Sequence, residues 1–110
     1  MKIEIDYIKD FHDFDKARIV FRVNQVTNLG LYLVAESSQV GENSISSGIK
    51  NVYWLPDQEL KLGDLVVLYL KKGEKRSVKN NDGSITYFYY WGLDKTLSSE
   101  NKSCVVLFEA

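Results

Sequence analysis

Six apolar residues in a row, Leu65, Val66, Val67, Leu68, Tyr69 and Leu70, follow directly on a Gly63-Asp64 turn signal. The run is far too short to cross a membrane and carries β-branched residues, which predicts a buried strand. A strand sends alternate side chains to opposite faces. Residues 65–70 are therefore apolar on both faces, and both faces need cover. Residues 85–91 and 104–108 pose the same problem. A neighbouring subunit could supply the second cover, and so could the chain's own loops. Large exposed apolar patches are uncommon on monomers, so a homo-oligomer is one expectation.

The rest of the chain punctuates into short strands. Residues 2–8 alternate, with Ile3, Ile5 and Tyr7 facing one way and Lys2, Glu4 and Asp6 the other. Residues 17–26 form a second strand, with Ile19, Phe21 and Val23 opposite Arg18, Arg22 and Asn24. Thr27, Asn28, Leu29 and Gly30 read as a four-residue hairpin loop in which Gly30 is free to take positive φ. A third strand covers 31–36. Residues 37–50, with five Ser and two Gly, read as a surface loop. A short strand at 51–55 ends at Pro56. After the basic stretch 71–80, Asn81, Asp82 and Gly83 are a hairpin turn into the strand at 85–91. A polar connection, 92–103, precedes the last strand, 104–109. Strands this short and evenly spaced predict an all-β fold, an antiparallel β-sandwich of about seven to eight strands in one domain, 1–110. The long connections at 37–50 and 92–103 favour a sandwich over a small barrel.

A chain of 110 residues can bury roughly two thirds of its unfolded surface without a metal or disulfide. The net charge of −1 excludes polyanion binding by overall charge, so any nucleic-acid contact would come from a local patch. The single cysteine, Cys104, cannot form an internal disulfide and reads as a small buried hydrophobe. The opening MKIEIDYIKDF has no continuous apolar core of a signal peptide, and no stretch is long and apolar enough to span a bilayer. No membrane association and a cytoplasmic location are the expectations.

Ile3-Glu4-Ile5, the segment from Ala17 to Asn24 reading ARIVFRVN, Leu31-Tyr32-Leu33, and LKLGDLVVLY from Leu60 to Tyr69 together resemble a lamin-tail-type domain. The resemblance implies an immunoglobulin-like β-sandwich of about this length. It also implies a binding role, since members bind proteins or DNA or accompany enzymes as accessory domains. Two positions depart from the family pattern. Tyr32 stands where a Trp is usual near Leu31, and Lys102-Ser103, not Gly-Asp, precedes the closing strand.

The run Tyr87, Phe88, Tyr89, Tyr90 and Trp91 is the most unusual local feature. On a strand, Tyr87, Tyr89 and Trp91 share a face with Ile85, while Phe88 and Tyr90 share the other with Thr86. One set can enter the core. The other puts large rings outside, as a packed shield or a contact surface. Lys71, Lys72, Lys75, Arg76 and Lys79, opposed only by Glu74, lead into these rings. Cations beside stackable rings suit single-stranded nucleic acid, the alternative function. Lysines on a hairpin also keep a sheet edge from pairing. Asp10, His12, Asp13 and Asp15 lack the ligand set of zinc or calcium, so neither metal nor cofactor is expected. Ser37, Ser38, Ser44, Ser46 and Ser47 form no nucleophile elbow, His12 is the single histidine, and no phosphate loop is present. Glu59 and Asp64 read as turn and surface residues. The function expected is a non-enzymatic interaction module, self-associating or docking on a partner protein. A small hydrolase or accessory enzyme domain using 37–50 comes last.

Overall fold

The computed structural model describes residues 1–40, 44–94, 97 and 105–110, without the side chains of 37–40 and 44–50. Ten strands lie among them: β1 (Ile3–Lys9), β2 (Arg18–Val23), β3 (Thr27–Asn28), β4 (Tyr32–Val40), β5 (Ser44–Trp54), β6 (Glu59–Leu60), β7 (Leu65–Tyr69), β8 (Arg76–Lys79), β9 (Ile85–Tyr90) and β10 (Val105–Glu109). A 3₁₀ turn, Leu29–Leu31, is the one helical element among the described residues. A five-stranded sheet runs β1-β2-β7-β9-β8. A three-stranded sheet runs β10-β4-β5, and β3 pairs with β6.

The all-β expectation holds, and the run at 65–70 does form a strand, at the centre of the large sheet. Its inward residues line up with those of the neighbouring strands. Ile5, Phe21, Val66 and Tyr87 form one row across β1, β2, β7 and β9; Ile8, Ile19, Leu68 and Tyr89 form the next. These rows pack with Tyr32 and Val34 of β4, Leu55 after β5, Leu60 of β6, Leu97 and Val105 of β10 in a single core. The Gly63-Asp64 turn sets the start of β7. Gly63 takes φ 95°, and the buried Asp64 carboxylate accepts from the Lys61 N–H (2.9 Å) and the Ile85 N–H (3.0 Å). One carboxylate thereby ties the turn to the first residue of β9.

Several expectations are corrected. The large sheet is mixed, because β7 and β9 run parallel. Parallel neighbours need a crossover. Here the chain leaves β7, passes over β9, returns as β8 on its far side and turns at Asn80–Ser84 into β9. Residues 37–50 are not a loop over their length: 37–40 belong to β4 and 44–50 to β5, paired antiparallel. Residues 27–30 do not make a β2–β4 hairpin. They hold β3 and the 3₁₀ turn, and β4 lies in the other sheet. Gly30 is not a positive-φ residue; any Cβ there would collide with the Asp57 carboxylate. In β1 a register shift between Ile5 and Tyr7 breaks the alternation, so Tyr7 is exposed while Ile8 packs on the core. Cys104 and most of 92–103 lie outside the described residues.

Candidate functional site

Two outer faces and one cleft compete as the site. On the outer face of the five-stranded sheet, Tyr7, Val20, Val67, Phe88 and Arg76 form a row crossing all five strands. Lys9, Arg18, Tyr69 and Tyr90 form the row beside it. The second face of β7 is not left wet: Val67 is only 7% exposed. Its cover comes from this chain. The rings of Tyr69 and Tyr90 stack at 5.2 Å between centroids. The Tyr90 ring is also met by the crossover, where a Cβ on Gly73 would come within 2.5 Å of it. Arg18 and Lys71 each lie 5.7 Å from the Tyr69 ring centre, and Arg76 lies 4.1 Å from that of Phe88. Arg18 is also paired with Asp10 (2.8 Å), and Arg22 with Glu4.

The five aromatic candidates therefore separate. Tyr87 and Tyr89 (5% exposed) are core residues, and Trp91 packs half-buried against Tyr53. Phe88 and Tyr90 face outward, with ring faces already occupied by Arg76, Tyr69 and Gly73. A nucleobase could stack there only by displacing these groups. The basic candidates separate too. Lys71 and Arg76 lie over rings, while Lys72, Lys75 and Lys79 enter no ion pair among the described residues. Every residue of β8, the edge strand, is exposed.

The outer face of the three-stranded sheet is different. Phe108, Leu33 and Trp54 form one row across β10, β4 and β5, and Val106, Ala35 and Val52 form the next. Trp54 is 61% exposed, Val52 56% and Phe108 36%, with Leu31 also exposed alongside. No charged side chain stands in either row. The Trp54 indole N–H donates to the Gly30 carbonyl at 2.9 Å, which fixes the ring and satisfies its only donor. The ring can therefore enter an apolar contact without stranding a polar group. The aromatic run 87–91 does not point to this surface. The signal for it was present in two strands whose second face is apolar, through Val52 and Trp54 and through Val106 and Phe108.

Between β8 and residues 57–58 lies a cleft of about 200 Å³. Lys75, Arg76 and Ser77 form one wall, Asp57 and Gln58 the other, and Tyr87 and Tyr89 the floor. Two of the basic candidates and two of the aromatic ones thus meet here. Burial pushes the Tyr89 phenol up to about 12, with further contributions from Tyr87 and Tyr53. Burial, then the Asp64 and Glu59 carboxylates, raises Tyr87. Both phenols stay protonated at neutral pH.

Around Asp10, the chain makes a compact turn. Asp10 takes φ 53° and its carboxylate is taken by Arg18, while Phe11 and Phe14 pack on the core. Among the described residues no three His, Cys, Asp or Glu side chains gather as metal ligands, and no helix is long and apolar enough to cross a membrane. Comparison with protein-family models, curated proteins and solved structures finds no match for this chain.

Proposed function

We propose that this chain is a non-enzymatic protein-interaction module, and that it pairs with a second copy of itself through the outer face of the three-stranded sheet. The observation that carries this reading is Trp54: largely exposed, fixed by its bond to the Gly30 carbonyl, and continuous with an uncharged apolar row. Rigid aromatic anchors of this kind dominate interface energies. Trp54 and Val52 at one edge of the face and Phe108 at the other are exposed and can pack against the same residues of a second copy, while Ala35 between them is already buried. A net charge of −1 opposes self-approach little. The few exposed apolar residues of the face, Trp54, Val52, Phe108 and Leu31, fall well short of the roughly 20–30 residues a side of a standard stable interface. The pairing is therefore weak and concentration-dependent. The same proposal takes the two larger sheets as halves of an immunoglobulin-like sandwich of lamin-tail type, supported by their shared core and by the Gly63-Asp64 turn that leads into β7.

Sedimentation velocity over a concentration series tests it. The wild-type chain shifts to faster sedimentation as concentration rises, and Trp54→Ser holds at the monomer value. A wild-type chain that stays monomeric into the millimolar range, or a Trp54→Ser chain that associates equally, contradicts the reading.

The alternative reading, single-stranded nucleic acid along 71–79, has the exposed β8 cations in its favour. It requires a gel shift at low salt that is lost as salt rises.

A further inference from the structure

We propose that the cleft between β8 and residues 57–58 binds a small oxyanion, a carboxylate or phosphate group, held by Lys75, Ser77 and the Tyr87 hydroxyl. This site is separate from the Trp54 face and stands or falls independently of self-association.

The size of the cleft sets the ligand class. At about 200 Å³ it is smaller than the roughly 300–1,000 Å³ of pockets that take whole drug-sized molecules, and suits one anionic group with its water. The lining sets the sign. Ser77 opposes Tyr87 in the β8–β9 ladder, so it shares the inward side with that ring. Arg76 also lines the cleft, but its guanidinium lies over Phe88, which among the described residues leaves the Lys75 ammonium as the cation free to meet a ligand. Gln58 Nε2 donates to the Tyr87 hydroxyl oxygen at 3.4 Å, so the phenol proton is available for a ligand. Because Tyr87 titrates above its ordinary range, that proton is retained at neutral pH. The strand itself adds donors, since alternate N–H groups of an edge strand have no ladder partner.

One carboxylate in the lining opposes an anion. Asp57 is turned against the Gly30 backbone, where it leaves no room for a side chain. Asp64, which acts on Tyr87 from the far side, is held by two backbone N–H groups. Glu59 also acts on Tyr87 from that side. The cleft thus presents an ammonium and two hydroxyl donors, with its acids turned aside or already bonded.

The test is a titration of the ¹⁵N-labelled chain with inorganic phosphate and, separately, with succinate, followed by amide shifts. Saturable shifts at the Ser77 and Gln58 amides are the expected result. Lys75→Gln weakens binding about tenfold, the scale of one charge-assisted hydrogen bond, and Tyr87→Phe about fivefold while keeping the ring in the core. Lys79→Gln, on the same strand but outside the cleft, leaves it unchanged. Tighter phosphate assigns a phosphoryl ligand and tighter succinate a carboxylate one. Shifts that do not saturate, or a Lys79→Gln loss equal to that of Lys75→Gln, overturn the proposal in favour of diffuse attraction to a basic hairpin.

Discussion

The outer faces of the two larger sheets both carry aromatic and aliphatic side chains, yet among the described residues one is covered by its own chain and the other leaves Trp54, Val52 and Phe108 exposed. On the five-stranded sheet the parallel β7–β9 pairing forces a crossover, and the crossover lays Gly73 on the Tyr90 ring. Tyr69, Arg18, Lys71 and Arg76 then cover what remains. On the three-stranded sheet β4 lies between antiparallel neighbours, and among the described residues no crossover covers Trp54, Val52 and Phe108, which stay exposed. Connectivity, more than hydrophobic content, decides which apolar side chains stay exposed.

If that contrast is right, a ring removed from each face has opposite consequences. Tyr90→Ala deletes a ring packed against Tyr69 and Gly73. It should cost about 2–4 kcal/mol, somewhat less than a fully buried ring, in urea unfolding. Trp54→Ser should cost no more than about 1 kcal/mol, the worth of its hydrogen bond, while abolishing association. Equal losses at the two sites would erase the distinction. A smaller effect sharpens it: Gly73→Ala pushes a methyl into the Tyr90 ring and should cost about 1–3 kcal/mol, although Gly73 is not among the positive-φ glycines. The smallest effect concerns the inner side of β9. Tyr89 titrates at about 12 in the folded chain against 10.0 ordinarily. The folded state holds that proton more tightly, so the contribution is intact below pH 10 and is lost as pH rises towards about 12. Alkaline unfolding followed by phenolate absorbance should shift upward in pH in Tyr89→Phe.

Much of the fold was legible because local chemistry decided it. The Gly63-Asp64 turn, the Asn81–Gly83 hairpin and the inward sets Ile19, Phe21, Val66 and Leu68 all follow from period-two patterning and turn residues. The parallel pairing was not, because a hairpin signal at 81–83 says that β8 and β9 pair but not that β9 inserts beside β7. Residues 37–50 read as a loop because serine and glycine suit loops. Here the backbone ladder between β4 and β5 carries them as strand ends. The site was half legible. The alternation within 87–91 predicted two sets of rings on opposite faces, and that separation is found. Which outer face stays bare depends on the path of the crossover, and no local pattern carries that. A structure was also needed to join Lys75 and Ser77 to Tyr87, which lie ten or more positions apart.

The most direct test of the Trp54 face reads the indole itself. In Trp91→Phe the chain keeps Trp54 as its sole tryptophan, so emission reports that face alone. The account predicts a water-exposed emission maximum in dilute solution that moves to the blue as concentration rises, in step with sedimentation. An emission maximum that stays at its exposed position while the chain associates would place the contact elsewhere and contradict it.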